Sequence, residues 1–541
     1  MKKLTPKSTF TFMLLFCFSK GFSDNPIVQT NYTADPAPMV YNDRVYVYTS
    51  HDDDVTENDF YTMRDYCCYS SSDMVNWTDH GIVIKPNSAF RWLNGHNNDA
   101  WAPQCVERNG KFYFYAPFHG KGIGVLEADN PLGPFTDPIN KQLLFRDNWS
   151  DIDPTVFIDS DDQAYMYWGN GSLWYVKLNA DMTSYSGNVV TINPKPTGYT
   201  EGPWFYKRNS HYYMIYGGMG GNTENLQYSM SNSPTGPWTH KGIIMQSGRC
   251  YTNHPGIVDY KGNSYLFYHN SDLPGGADFK RSVCVEQFTY KEDGTIPSME
   301  MTKNGPDQAG SLNPYDTVQA ETICWSQGVK TEPCNEGGMN VSRIENGDYI
   351  KVKGVDFGTG ADMFEARVAS NTEGGKIELY IDKIDGTLIG TCTVTGTGDW
   401  QKWETKSCEV TNVTDKHDLF LKFTGGSGFL FNFNWWKFQK ATGAETGKSL
   451  NRAIQNSLKI LSRDANDIRF AYNVPDNFSG NSLKITLSDL QGRLIASQIS
   501  AKKGSGVVPF NINRKLLRSG ICVIRISSEN KVLFNSSYLL N

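Results

Sequence analysis

Through the first 300 positions, short apolar and aromatic runs alternate with polar turns at a period of two, a pattern that predicts strands rather than helices. One phrase recurs: a polar anchor, a proline, a short apolar strand, a turn, then a second strand rich in Tyr and Phe. It first appears as Asp35-Pro36, Met39-Val40-Tyr41, the turn Asn42-Asp43, and Val45-Tyr46-Val47-Tyr48. It returns at Trp101-Ala102-Pro103 with Phe112-Tyr113-Phe114-Tyr115, and at Asp153-Pro154 with Tyr165-Met166-Tyr167-Trp168. The last two copies open at Glu201-Gly202-Pro203 and His254-Pro255 and close on Tyr212 to Tyr216 and Tyr265 to Tyr268. The anchoring prolines 36, 103, 154, 203 and 255 are 67, 51, 49 and 52 residues apart. About four strands per 50 residues is the size of one propeller blade, so five copies predict an all-β chain that begins with a five-bladed β-propeller.

Composition narrows the class. The 541 residues contain 29 Phe, 29 Tyr and 13 Trp, a supply of flat faces suited to ring-shaped ligands. A formal charge of −6 argues against a general nucleic-acid binder. After the N-terminus no apolar run reaches the length of a membrane span. Residues 1–23 carry a basic start (Lys2, Lys3, Lys7), an apolar stretch (Phe10 to Phe18) and a small polar exit, the marks of a secretory signal peptide. The expected location is therefore secreted or cell-surface. Bulky Phe16 before Cys17 argues against lipidation. Export permits disulfides, and Cys324/Cys334 and Cys392/Cys408 are the local pairs expected. No cysteine spacing resembles a zinc site.

In a propeller the innermost strand of each blade lines the central channel, so matching anchors converge on the axis. Here they bring Asp35, Asp99 with Trp101, Asp153, Glu201 and His254. A lone Asp before Pro is usually a turn residue, but several carboxylates in one cleft repel each other and imply a use. Paired carboxyls suit glycosidic cleavage, one protonating the leaving oxygen and the other activating water. Trp101 offers a sugar-stacking face or a core contact. A non-catalytic carbohydrate-binding propeller is the rival from another class.

The phrases Thr33-Ala34-Asp35-Pro36-Ala37, Asp151-Ile152-Asp153-Pro154-Thr155-Val156-Phe157 and Tyr199-Thr200-Glu201-Gly202-Pro203-Trp204 resemble the three catalytic blocks of glycoside hydrolase family 43. That resemblance implies a propeller acting by inversion on arabinose- and xylose-containing polysaccharides, with Asp35 as general base and Glu201 as general acid. Asp153 would orient Glu201 and raise its pKa. The phrases around Asp99 to Gln104, Thr252 to Gly256 and Phe279 to Val283 look most like the family's arabinofuranosidases that trim arabinoxylan. A β-xylosidase with the same trio is the alternative. By the same likeness His254 would help hold calcium or water in the channel, or be a hydrogen-bonded core histidine. Arg281 would sit near the sugar, or form a plain ion pair. No catalytic cofactor is implied.

The propeller is expected over 24–302 and a linker over 303–314. Over 315–440, the segments Gln319-Ala320-Glu321, Asn346-Gly347-Asp348-Tyr349, Gly398 to Trp403 and Phe431 to Trp435 resemble carbohydrate-binding module family 6, a β jelly roll. The resemblance implies a sugar sandwich between Tyr349 and Trp400, a hydrogen bond from Asn432, and a structural calcium on Glu321. Asn434 stands where an Asp is common, which weakens that calcium site. A linker at 441–455 leads to 456–541, and from Ala441 onward 14 Lys/Arg face 6 Asp/Glu. The short strands at 456–541 resemble the C-terminal sorting domain of type IX secretion, implying the secretion machinery as a partner beside arabinoxylan or xylan. A small extra β-sandwich is the other reading.

Overall fold

The computed structural model describes residues 25–96, 98–248 and 250–440 and, beyond them, seven strands between 459 and 539. Among the described residues the helical elements are one turn of α-helix, Pro86–Ala89, and one of 3-10 helix, Arg91–Leu93. The signal-peptide segment and the 441–455 linker lie outside the described residues. No described helix is long and apolar enough to cross a membrane. The chain forms two compact units, Met1–Gln439 and Lys440–Asn541.

The first unit opens with the five-bladed propeller. Blade I is the antiparallel set Tyr32–Tyr41, Arg44–Asp52, Met63–Ser71 and Trp77–Ile84, and blade II is Gln104–Arg108, Lys111–Phe118 and Gly122–Ala128. Blade III is Thr155–Ile158, Ala164–Trp168, Trp174–Leu178 and Tyr185–Thr191. Blade IV is Glu201–Arg208, His211–Met219, Glu224–Ser231 and Thr239–Met245; blade V is Gly256–Tyr260, Asn263–Asn270 and Ser282–Phe288. Blade I's first strand packs beside those of blades II and V, and blade III's beside those of II and IV. Trp204 Nε1 donates to Ile257 O at 3.1 Å and ties blade IV to blade V.

Two-residue turns set the hairpin registers. Asn42 and Asp43 (φ 46° and 56°) and Asn109 and Gly110 (55° and 79°) have the doubly positive φ that matches strand twist. In blade V the turn is Lys261-Gly262, closed by the Tyr260–Asn263 pair. The second-strand aromatics then pack between blades, as where Tyr48 meets Phe114 edge-on at 5.6 Å. The ring is closed by the chain before blade I and the start of its first strand, which meet the outer edge of blade V: Ile27 N donates to Val283 O and Thr33 N to Arg281 O, both at 2.9 Å.

The jelly roll follows in the same unit. One sheet holds Trp325–Gln327, Tyr349–Asp356, Lys416–Gly425, Gly374–Ile381 and Thr387–Thr395. The long strand Asp399–Val413 continues into the second, with Ala361–Ser370, Asn432–Lys440, Met339–Ser342 and Lys330–Pro333. Inward residues such as Val352, Phe364, Leu421, Phe433 and Trp436 fill the space between them.

The expected linker 303–314 is held by its neighbours: Ala309 N donates to Asp73 O at 2.8 Å, and Gln308 Nε2 to Asp73 Oδ2 and Lys353 O, both at 3.0 Å. Thr322–Ile323 pairs with the outermost strand of blade I, and Asn76 exchanges two 2.8 Å hydrogen bonds with the backbone of Lys353. Propeller and jelly roll are therefore joined through blade I by ladder and polar contacts. One expectation is corrected: the expected disulfides are unformed. Cys334 is a free thiol, and Cys392 and Cys408 are free thiols standing opposite each other on adjacent strands, in hydrogen-bonding contact. The second unit, by itself, has a three-stranded and a four-stranded antiparallel sheet, with Ile485 and Leu487 buried.

Candidate active site

The channel acids are presented by irregular backbone. Asp35, Asp153 and Gly202 have positive φ of 51°, 59° and 61°, each just before a proline. The ladder slips at the same places, between Ala34 and Ala37 in blade I and between Glu201 and Trp204 in blade IV. Proline has no N–H for the ladder, and a bulge there re-aims the preceding side chain. The result is a cavity of about 230 Å³ lined by Asp35, Asp153, Glu201, Trp101, His254 and Arg281.

Asp35 is buried and ionised. Burial raises its pKa, but Arg281 outweighs that, aided by His269, His254 and the Ser50 hydroxyl, and holds it at about 2. Arg281 Nη1 donates to Asp35 Oδ1 at 3.0 Å, and Ser50 Oγ to Oδ2 at 2.7 Å. His269 is fully buried and burial, then Arg281, pushes its pKa down to about 3, so it is neutral at ordinary pH and the guanidinium is the charge that counts. The ring's hydrogen bonds fix its tautomer: Nδ1 accepts the Asp35 N–H at 3.1 Å, and Nε2–H donates to Thr252 O at 2.9 Å.

Arg281 is itself clamped by Asp52, which accepts Nε and Nη2 at 2.9 Å each and the Arg281 backbone N–H at 2.8 Å. The fork geometry of guanidinium against carboxylate suits such a bidentate pair. Tyr61 lies over the guanidinium at 4.9 Å.

The opposite wall runs the other way. Asp153 accepts the Gly202 N–H at 3.1 Å, and its pKa is raised well above the carboxylate range by burial, then by Glu201 and Asp35. Glu201 is raised by burial, with Asn170 opposing through a hydrogen bond and Asp35 adding to the rise. One cavity thus holds a carboxyl group whose pKa is depressed beside carboxyls whose pKa values are raised, the pairing that acid–base chemistry needs.

The other predicted residues fall into place unevenly. Trp101 lines the cavity and stacks on His119 at 5.1 Å, but Asp99 turns away to accept from the His119 backbone at 2.6 Å and pair with His96 at 2.7 Å. His254 faces the cavity, its pKa lowered first by burial. It joins no described cluster of three metal-ligating side chains; the cluster among the described residues is His51, Asp65 and Cys67.

In the jelly roll, Asn432 Nδ2 donates to Trp400 O at 3.0 Å and Glu332 Oε1 at 2.7 Å, so these two predicted residues meet. Tyr349 sits on the other sheet, paired with Gln327 and Lys422, its ring 6.1 Å from Phe420. Glu321 is buried and its Oε2 has no hydrogen-bond partner, an arrangement that fits a hard cation.

Sequence reasoning missed Ser50, Asp52, Asn170, Glu224 and His269, and the exposed aromatic rim of Phe60, Trp149 and Tyr251. Three of them had a signal. Ser50, Asn170 and His269 each lie one or two residues past the aromatic run of a second strand, where that strand also reaches the channel.

Residues 23–296 match the family described as Glycosyl hydrolases family 43, and residues 319–440 match Carbohydrate binding module (family 6). An Arabinoxylan arabinofuranohydrolase of Paenibacillus polymyxa is 35% identical over 497 residues, 81% of this chain and 77% of its own. The protein of that name from Bacillus subtilis (strain 168) is 36% identical over 479 residues, 77% of this chain and 92% of its own. A Xylosidase/arabinosidase 43A of Humicola insolens is 32% identical over 334 residues, 50% of this chain and 98% of its own. A crystal structure of a glycoside hydrolase family 43 arabinoxylan arabinofuranohydrolase from Bacillus subtilis, in complex with cellotetraose, superposes with a TM-score of 0.70 at 34% identity, covering 78% of this chain and 98% of that one.

Proposed function

Since the chain belongs to family 43 of the glycosyl hydrolases, we propose that it removes α-L-arabinofuranosyl branches from arabinoxylan in a single inverting displacement. The observation that carries this reading is the opposed pair in one cavity: Asp35 held ionised at about 2, and Glu201 raised by burial. Asp35 takes a proton from the attacking water as oxygen bonds to the anomeric carbon. Glu201 gives its proton to the departing oxygen as the glycosidic bond breaks, and the anomeric configuration inverts. Asp153 sits behind the Gly202 N–H and fixes the backbone that carries Glu201. Arg281 keeps Asp35 charged, and Trp101 offers the sugar a face.

Substrate choice rests on the two arabinofuranohydrolase relatives, which are similar to this chain across propeller and module together. The xylosidase/arabinosidase relative matches about half the chain and keeps β-xylosidase activity as the second reading. Incubation with nitrophenyl arabinofuranoside, nitrophenyl xyloside and arabinoxylan separates them: arabinose release is expected, and xylose as the sole product overturns the assignment. Proton NMR of the first-formed sugar should show the anomer opposite to the substrate's; retention contradicts the roles of Asp35 and Glu201.

The rest of the proposal concerns delivery. The jelly roll holds polysaccharide through Trp400 and Asn432 and keeps the propeller near its substrate. Glu321 is the residue that would hold a structural calcium. The N-terminal segment directs export, and the basic C-terminal unit is read by a type IX secretion machinery, placing the enzyme outside the cell. Mass spectrometry of the secreted protein tests this, through the loss of residues 1–23 and the presence or absence of 456–541.

A further inference from the structure

Glu224 opens the third strand of blade IV and is 2% exposed. The ladder puts Gly217, on the second strand, opposite Glu201. A Cβ on Gly217 would lie 2.7 Å from Glu224 Oε2, so the missing side chain is what lets Glu224 reach across the second strand. There its carboxyl hydrogen-bonds Glu201, while its Oε2 accepts the Asn253 N–H at 3.1 Å. Two carboxyl groups can share a hydrogen bond only if one of them carries a proton. The titratable groups that face Glu224 are Glu201 on the first strand, Asp153 from the approach to blade III, and Tyr199. None is a cation, and the nearby Arg281 is taken up by Asp35 and Asp52. Each also accepts one further hydrogen bond, Glu201 from the Asn170 amide and Glu224 from Asn253. But burial and then Glu201 hold the Glu224 pKa well above the carboxylate range, and the shared hydrogen bond favours the proton on Glu224, which makes Glu201 the acceptor of the pair.

We propose that Glu224 is a positioning residue for Glu201, its O–H donating the hydrogen bond that aims Glu201 into the cavity and supports the charge left there once Glu201 has given up its proton. This rests on the reading of Glu201 as the general acid. The hydrogen bond is weak while Glu201 is neutral and becomes charge-assisted as the proton leaves, so it acts on the transition state more than on the resting site.

The test compares Glu224→Gln, which keeps a donor, with Glu224→Val, which does not. On a substrate with a poor leaving group, Glu224→Gln should stay within about threefold of the parent, and Glu224→Val should lose about ten- to hundredfold in kcat with KM little changed. The basic limb of its pH profile should move up, because Glu201 loses a donor to its charged form. A dinitrophenyl glycoside, which needs little acid help, should be spared. Equal loss in both variants, or a basic limb that stays put or falls, overturns the proposal. Infrared spectroscopy of the resting full-length protein with its Glu carboxyls isotope-labelled needs no turnover and no Val variant: Glu201 keeps one protonated-carboxyl band at neutral pH, a second should be lost in Glu224→Gln, and an unchanged set of Glu bands refutes the donor role. Glu201→Gln on the same two substrates tests the underlying reading separately, since full activity there removes Glu201 as acid whatever Glu224 does.

Discussion

The propeller cavity and the polar set around Asn432 in the jelly roll both include a carboxylate, yet they are built differently. In the propeller, Asp35 and Asp153 are buried around one guanidinium, and carboxyls that share a cavity have pKa values pushed in opposite directions. In the jelly roll, Glu332, Asn432, Gln401 and Asn340 form a hydrogen-bonded set, with Gln401 Nε2 donating to Glu332 at 3.1 Å and to Asn340 at 3.2 Å. Cleaving a bond requires groups forced into opposite protonation states, which only burial and a single well-placed cation achieve. Holding a sugar requires fixed dipoles and a flat ring, and the edge of a sheet supplies both.

The sharpest way to break this contrast is Glu201→Gln. It should lower kcat/KM on arabinoxylan by about 10²- to 10⁴-fold while pull-down on the polysaccharide stays at the parent level; loss of binding as well would merge the two sites. Arg281→Met comes next. Removing one partner of a buried pair costs about 3–5 kcal/mol, read as a lower Tm, and Asp35 loses the cation that depresses its pKa. The sign follows from that depression: Asp35's stabilising contribution is full above the unfolded carboxylate pKa and fades as pH falls toward about 2. In Arg281→Met the acid limb of activity should therefore move up, and an unmoved limb would detach Asp35 from it.

Asn76→Ala strikes the joint between the two regions. Losing its paired hydrogen bonds to Lys353 should cost about 1–3 kcal/mol, seen as a lower but still single thermal transition; a split transition would make propeller and module independent. The smallest effect belongs to the module. Trp400→Ala should weaken polysaccharide binding by about two- to tenfold with small-glycoside activity unchanged, and Tyr349→Ala should do the same if the two rings sandwich one sugar.

The blades and the three anchor acids were legible because proline interrupts each inner strand where the acid turns inward, and that mark recurs at a countable spacing. Asp52, Glu224 and His269 were not, because each matters through a register. His269 meets Asp35 across 234 residues, and Glu224 reaches Glu201 only because position 217 has no side chain. Spacing did bring Cys392 opposite Cys408, but facing strands do not by themselves make a bond. The linker's contacts were hidden for a related reason: Gly305-Pro306 shows the composition of a connection, but not that Gln308 and Ala309 bond to blade I and, through Gln308, to Lys353.

The closing of the ring by its own beginning also sets a clock. Asp35 emerges early in synthesis, whereas Arg281, which keeps it charged, is 246 residues further on, and it leads into the strand along which residues 27 and 33 run. Until blade V is made, a nascent chain has its acids but neither the cation nor the last wall of the cavity. Such late, long-range pairing is the slow part of folding. A chain that stops before blade V should therefore be hydrolytically silent, whatever its acids, because the last wall and the cation arrive together.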